Sequence, residues 1–151
     1  FDSQYVNAIH YSQAEATKFV RWIQEQDFYE NTTIIILGDH LSMASAFFEG
    51  MDSSYQRTCY NLILNPHPSV ANVGNAITYN RTWALFDMFP TMLASIGVQI
   101  EGNKLALGTN LFSGEKTLFE REGVATVNSE LVNRSDFYNN NILVDPDKYK
   151  K

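Results

Sequence analysis

Two strong metal ligands stand side by side in the first third of the chain, Asp39 and His40, within the stretch NTTIIILGDHLSM (residues 31–43). A carboxylate and an imidazole together suit Mn²⁺, Zn²⁺ or Fe²⁺ better than Ca²⁺. Gly38 precedes them and lets the chain leave strand geometry, so both side chains can turn to one point. The alternative is an Asp that caps the next turn beside a structural His. The strand–Gly–Asp–His order favours the metal site.

An apolar strand must position this pair. Residues 32–37 are apolar on both faces, which is typical of a central parallel strand covered by helices. Residues 3–26 carry apolar side chains at helical spacing and predict a helix, so helix and strand form half of a βαβ unit. Ligands of open α/β sheets bind beyond the carboxyl ends of the strands, where Asp39 and His40 fall.

The rest of the chain predicts a smaller set of elements. Residues 59–64 (CYNLIL) form a second strand, and residues 117–119 and 124–127 are short strands of a hairpin. Residues 82–97 predict a helix that Pro90 kinks or restarts and that Gly97 ends. The expected core stripe of this helix consists of Leu85, Met88, Phe89, Met92, Leu93 and Ile96.

Composition excludes some classes of function. The 151 residues are 44% hydrophobic and 19% charged, which permits one packed domain. A net charge of -6 argues against nucleic acid as a partner, because binding to phosphates needs a basic face. The lone Cys59 cannot form an internal disulfide.

Three segments resemble, in order, motifs of the sulfatase/alkaline-phosphatase superfamily. FVRWIQEQDFYEN followed by TTIIILGDH is similar to its second metal motif, most of all in the branch of lipoteichoic acid synthases and phosphoglycerol transferases. DMFPTMLASIGV (residues 87–98) resembles the Asp-x-x-Pro-Thr-x-Leu-x-x-x-Gly helix of that family. GTNLF (residues 108–112) is similar to the Gly-x-Asn/Asp-Leu turn that follows it. The resemblance covers about residues 5 to 125.

The resemblance implies a fold and a metal site. Residues 1–151 would be the C-terminal portion of one sulfatase-like catalytic domain, the C-terminal half of an alkaline-phosphatase-like α/β fold with a mixed sheet flanked by helices. Asp39 and His40 match the motif and inherit the role of ligands to one divalent metal. Mn²⁺ is the expected ion, with Zn²⁺ and Mg²⁺ as alternatives. The nucleophilic Thr of the family precedes this motif, and no Thr in these residues is placed for that role.

The resemblance also implies an activity. The chain would be part of a metal-dependent phosphoglycerol transferase that moves glycerol phosphate from a phosphatidylglycerol-type lipid to a cell-envelope glycan or polyglycerol phosphate. We expect these residues alone to be inactive, with the upstream part of the domain as their partner. The complete protein is expected to be membrane-anchored at the extracellular face of a bacterial membrane. The alternatives are a sulfatase or phosphodiesterase-type hydrolase of the same superfamily and a non-catalytic α/β module.

Three further residues are candidates for substrate binding. Arg57 and Arg81 carry guanidinium groups, whose paired N–H groups suit a phosphate or an anionic acceptor. His67 follows the second predicted strand and is expected near the cleft. Surface or ion-pair roles for the arginines, and an exposed loop position for His67, are the alternatives.

Overall fold

Short strands and helices alternate along the chain, which confirms the α/β class. The structure, a computed structural model, describes residues 3–52, 54–71, 73–74 and 79–142. The elements, in order, are α1 (Gln4–Gln24), β1 (Ile34–Leu37), α2 (Ser45–Phe48), β2 (Asn61–Leu64), α3 (Pro68–Ala71), α4 (Leu85–Ser95), β3 (Lys104–Leu105), β4 (Gly108–Thr109), α5 (Leu118–Glu122), α6 (Val124–Leu131) and α7 (Asp136–Asn141). Single turns of 3₁₀ helix lie at Tyr29–Asn31 and Glu101–Asn103. Small antiparallel sheets flanked by helices are consistent with part of an alkaline-phosphatase-like domain.

The first predicted helix is confirmed as α1. Ser3 is its N-cap, and the Ser3 hydroxyl accepts a hydrogen bond from the Val6 N–H at 3.4 Å. No residue of α1 is buried, and the rings of Phe19 and Trp22 stack in the open with centroids 5.9 Å apart. None of the helices described is both long and apolar enough to cross a bilayer.

The strand before the Asp–His pair is confirmed, but its predicted parallel pairing is wrong. In the described residues β1 pairs with β2 antiparallel, with Ile34 opposite Leu64 and Leu37 opposite Asn61. Apolar residues on both faces indicate that a strand is covered, and they do not determine its direction. Among its described residues the connection between β1 and β2 contains the one-turn helix α2 and no longer helix, whereas a parallel crossover needs a dozen or more residues that are usually helical.

Helix α4 buries a different face from the predicted core stripe. Of the stripe, Met88 is buried at 3% exposure, whereas Leu85, Phe89 and Ile96 are exposed. The buried side of α4 is instead largely polar and small. Its members are Asp87, Met88, Pro90, Thr91, Ala94 and Ser95.

This polar face is buried because it binds the β3–β4 hairpin. The Asp87 carboxylate accepts hydrogen bonds from the Ala84 N–H at 2.8 Å and the Thr109 N–H at 2.7 Å. The Thr91 hydroxyl donates to the Asp87 carbonyl at 2.6 Å and accepts from the Leu111 N–H at 2.9 Å. The two downstream motifs of the superfamily resemblance therefore form one packing unit.

Pro90 and Gly108 make the close contact of this unit possible. Pro90 has no N–H to donate to the Phe86 carbonyl one turn earlier, so that oxygen is free to face the hairpin. A Cβ at Gly108 would lie 2.1 Å from the Phe86 oxygen, so only glycine fits there.

The predicted C-terminal hairpin is wrong, because both of its strands are helical. The Thr117 hydroxyl accepts from the Glu120 N–H at 3.1 Å, and the Glu120 carboxylate accepts from the Thr117 N–H at 2.9 Å. This reciprocal capping box starts α5 at Leu118. Gly123 then separates α5 from α6, where Val127 is buried.

Candidate metal centre

The Asp–His pair leaves the sheet one residue beyond its last paired position. The Gly38 N–H donates to the Tyr60 carbonyl at 2.8 Å, which continues the β1–β2 register past Leu37. Gly38 is not among the residues with positive φ. The chain therefore does not use the conformational freedom of glycine that we expected at this position. The chain departs from the strand after Gly38, at Asp39 itself.

Both side chains of the pair turn to the same point, as predicted. The Asp39 Oδ1 accepts from the His40 N–H at 2.9 Å, and its Oδ2 lies 3.6 Å from His40 Nε2. The side chains are 88% and 58% exposed, respectively. The pair is therefore accessible to an ion or substrate and does not cap a buried turn.

A backbone carbonyl sets the tautomer of His40. His40 Nδ1 lies 2.8 Å from the Leu41 carbonyl oxygen, which can only accept, so Nδ1 carries the proton. In the neutral ring Nε2 then has a bare lone pair that faces the Asp39 carboxylate. Two acceptors facing each other at 3.6 Å repel unless a cation or a further proton lies between them.

These two residues fit part of a divalent-metal centre. Metal–nitrogen and metal–oxygen bonds of about 2.0–2.2 Å let Asp39 Oδ2 and His40 Nε2 contact one ion. A carbonyl on the second ring nitrogen is the usual outer partner of a metal-bound His. In the described part of the chain no group of three His, Cys, Asp or Glu side chains could hold a metal, so the pair supplies two ligands only.

Arg57 contacts the segment that follows the pair. Its guanidinium donates from Nη2 to the Ser42 carbonyl and lies 3.9 Å from the centre of the Phe48 ring. Arg57 also lines a pocket of about 370 Å³ together with Leu41 and Trp83. The structure thus brings Arg57 to the segment that follows His40.

Arg81 lines the same pocket, and its guanidinium is bound on several sides. It forms a bidentate ion pair with Glu120 at 2.7 and 2.9 Å. It also donates to the Ser113 and Glu115 carbonyls at 3.2 and 2.6 Å. The hydrogen bonds from Arg81 to the Glu120 carboxylate lower the pKa of Glu120 to about 2. This geometry favours the ion-pair role, and substrate binding by Arg81 stays a prediction.

The structure does not bring His67 to the pair. His67 follows Leu64, which pairs with Ile34 at the start of β1, whereas Asp39 follows the end of β1. Four residues of strand separate these ends by roughly 13 Å. The His67 Nδ1 accepts from the Ser69 N–H at 3.2 Å at the start of α3. The antiparallel pairing places His67 at the opposite end of β1 from the pair, and its role in substrate binding stays a prediction.

One contact near the pair was not foreseen from the sequence. The Tyr5 hydroxyl, at the start of α1, shares a hydrogen bond with the Ser42 hydroxyl. The Tyr5 ring also lies 5.0 Å from the ring of Phe47. Tyr5 and Ser42 are 37 residues apart, and no periodicity in the sequence signals a contact of that range.

The comparisons with known proteins agree with the superfamily resemblance. The chain is 24% identical over 147 aligned residues to the lipoteichoic acid synthase-like protein YvgJ of Bacillus subtilis (strain 168). The alignment covers 90% of this chain and 24% of that protein, so the chain spans about a quarter of its relative's length. No family model and no solved structure matches the chain. The match relates the chain, at a distance, to the lipoteichoic acid synthase-like branch of the superfamily.

Proposed function

We propose that this distant relative of lipoteichoic acid synthase-like proteins carries the Asp–His half of a metal centre in a phosphoglycerol transferase. The donor would be a phosphatidylglycerol-type lipid, and the acceptor a cell-envelope glycan or a polyglycerol phosphate. The active site would face the outside of a bacterial membrane. The observation that carries the proposal is the exposed pair Asp39 and His40, whose acceptor atoms converge at 3.6 Å where a strand ends.

The residues of the chain have separable roles in this proposal. Asp39 contributes negative charge and one oxygen ligand, and His40 contributes Nε2, which is bare because Nδ1 is bound to the Leu41 carbonyl. When bound, a divalent ion such as Mn²⁺, Zn²⁺ or Mg²⁺ lowers the pKa of an attacking hydroxyl and neutralises charge on phosphate oxygens. The exposure of both ligands leaves room for a phosphodiester to approach them.

Further groups are needed to complete this centre. Catalytic metal sites usually have at least three protein ligands and an open position. The described residues supply two, so we expect the third ligand and the nucleophile from another part of the same gene product. These 151 residues alone are therefore expected to show no turnover.

The test is an assay of the complete gene product that carries these residues. A fluorescent phosphatidylglycerol analogue is incubated with Mn²⁺ and with either a glycan acceptor or water alone. We expect acceptor-dependent release of diacylglycerol that Asp39→Asn and His40→Gln each reduce at least about 100-fold, the lower end of the range for losing one charge-stabilising group. Release in water alone at the same rate would identify a hydrolase. Unchanged turnover in both variants would reject the metal centre.

A further inference from the structure

The segment that follows His40 is held at one residue from two directions. The Ser42 hydroxyl is bonded to the Tyr5 hydroxyl of α1, and the Ser42 carbonyl accepts from Arg57. The Ser42 hydroxyl also accepts from the Ala44 N–H at 3.3 Å. Arg57 is itself fixed over the ring of Phe48 at 3.9 Å. Ser42 is therefore the anchored point of an otherwise irregular segment.

Ser42, the anchored residue, directly follows the residue whose carbonyl orients His40. The Leu41 carbonyl, which accepts from His40 Nδ1, belongs to the peptide unit that joins Leu41 to Ser42. Fixing Ser42 on both its hydroxyl and its carbonyl limits rotation of that peptide unit. If the unit turned away, His40 would lose the acceptor that keeps its proton on Nδ1.

We propose that Arg57, assisted by Tyr5, is a positioning residue for His40. By anchoring Ser42 it keeps the Leu41 carbonyl on His40 Nδ1, so that Nε2 stays bare and directed toward Asp39. Its role is then to prepare a metal ligand and not to bind a substrate phosphate. This inference rests on the proposed function for its purpose, but the orientation of the ring is a property of the metal-free chain.

The bonds of Arg57 favour this role over substrate binding. One terminal N–H of its guanidinium is used by the Ser42 carbonyl, and one face of the group is covered by Phe48. A bidentate clamp on phosphate requires adjacent N–H groups of a freely presented fork. The geometry instead matches a side chain that organises the segment following the metal ligands.

The experiment reads the tautomer of His40 directly, in the full chain without metal. Long-range ¹H–¹⁵N spectra of ¹⁵N-histidine-labelled protein at pH 8.5 show which ring nitrogen is protonated. We expect a dominant Nδ1–H tautomer in the wild type and a shift to the Nε2–H form in Arg57→Met. Tyr5→Phe should move the population in the same direction by less. Arg57→Lys, which keeps a donor for the Ser42 carbonyl, should restore part of the wild-type population.

A second readout tests the consequence for metal binding. Mn²⁺ added in increments broadens signals near its site even when binding is weak, and we expect the midpoint for His40 to rise about 10-fold in Arg57→Met. Arg134→Met is the matched control, because Arg134 is exposed and pairs with Asp136 in another part of the chain. Amide spectra of α4 and β4 report whether each variant is folded.

The outcomes separate this inference from the proposed function. A wild-type tautomer in both Arg57→Met and Tyr5→Phe would overturn the positioning role, even if Asp39→Asn abolished broadening by Mn²⁺. A tautomer shift in Arg57→Met would uphold the positioning of the ring even if Asp39→Asn and His40→Gln left the turnover of the complete gene product unchanged, which is the result that rejects the metal centre. A substrate-binding role predicts a wild-type tautomer and weaker binding of glycerol phosphate alone.

Discussion

At the scale of single residues, the pair Asp39–His40 combines high exposure with an unfavourable arrangement of acceptors. The carboxylate oxygen and the bare Nε2 face each other at 3.6 Å, and neither is covered by the described residues. The cost is small in water, and a bound cation would convert it into a favourable interaction.

We predict that Asp39→Ala or His40→Ala removes metal binding and leaves the fold intact. Exposed substitutions usually change the free energy of unfolding by less than about 0.5 kcal/mol. Calorimetry should show an unchanged Tm, while line broadening by Mn²⁺ should disappear. Asp27→Ala is the control, because Asp27 is also exposed but lies before β1. Mn²⁺ broadening that persisted in both variants would place the ion elsewhere.

A second prediction at this scale concerns Gly108. A methyl group there would meet the Phe86 carbonyl oxygen at 2.1 Å, and a backbone oxygen in a helix cannot move away cheaply. Gly108→Ala should therefore destabilise the chain by about 1–3 kcal/mol or more. At Gly114 an added Cβ meets nothing within 4 Å, so Gly114→Ala is the matched control. Equal midpoints of urea unfolding for the two variants would contradict the packing of α4 on β4.

At the scale of elements, two adjacent residues of α4 differ strongly in their exposure. Met88 is 3% exposed and Phe89 is 58% exposed, although the sequence pattern assigned both to the core. We predict that Met88→Ala costs about 2–5 kcal/mol. Phe89→Ala should cost much less, because little of its ring leaves water on folding. Denaturant unfolding of both variants measures the difference, and the reverse order would mean that the predicted stripe was right.

The ion pair between Arg81 and α5 makes stability depend on pH. Hydrogen bonds from Arg81 lower the pKa of Glu120 to about 2 from an ordinary value of 4.5. The folded pKa lies below the unfolded one, so the stabilisation is complete above pH 4.5 and is lost as the pH falls towards 2. Glu120→Gln should therefore be less stable than the wild type near neutral pH, with a difference that shrinks steadily below pH 4.5.

Two comparisons isolate this effect. Glu122→Gln, an exposed change in the same helix, should follow the wild-type curve at every pH. Burial raises the pKa of Asp87 and the charge of Glu120 raises it further, so the contribution of Asp87 falls as the pH rises in the wild type and in Glu122→Gln alike, and less so in Glu120→Gln. A gap between wild type and Glu120→Gln that stayed constant down to pH 2 would show that Glu120 acts through packing and not through its charge.

Local patterns predicted some of these elements and missed others for identifiable reasons. The strand before Asp39 and the helices α1 and α4 follow from apolar spacing and capping residues, which are local signals. The buried face of α4 was missed because the hydrogen bonds that Asp87 and Thr91 accept from the β4 region, and not apolarity, decide which side is covered. The strand predicted at residues 117–119 failed because the capping box at Thr117 outweighs β-propensity.

The surroundings of the pair depend on contacts that no local pattern contains. Tyr5 and Ser42 are 37 residues apart, and Arg81 and Glu120 are 39 apart. The direction of β2 decided that His67 is far from Asp39, and direction depends on how the connection folds. The sequence therefore located the exposed Asp–His pair, but not the residues that surround it, and its role as metal ligands stays a prediction.

At the scale of the whole molecule, much of the apolar surface is uncovered. The accessible surface of the chain is 11705 Å², whereas a compact protein of 17.2 kDa exposes about 7,800 Å². Among the described residues the buried hydrophobic side chains are Met88, Ala94 and Val127. Exposed apolar patches of this extent mark surfaces for association.

We predict that the isolated chain binds a hydrophobic dye and self-associates as its concentration rises. The exposed side chains of Leu85, Phe89 and Ile96 lie on α4, and Phe19 and Trp22 lie on α1. The net charge of -6 opposes association at long range, but salt of about 0.15 M screens it beyond roughly 8 Å. Attraction between apolar patches should therefore outweigh the charge repulsion at physiological ionic strength, and the chain should self-associate. Sedimentation velocity and dye fluorescence, measured over a range of concentrations and salt, test this directly.

The triple change Leu85→Gln, Phe89→Gln and Ile96→Gln should reduce both signals without lowering Tm, because these side chains are already exposed to water. A wild-type chain that stayed monomeric and bound no dye would mean that these apolar faces are covered within the chain itself.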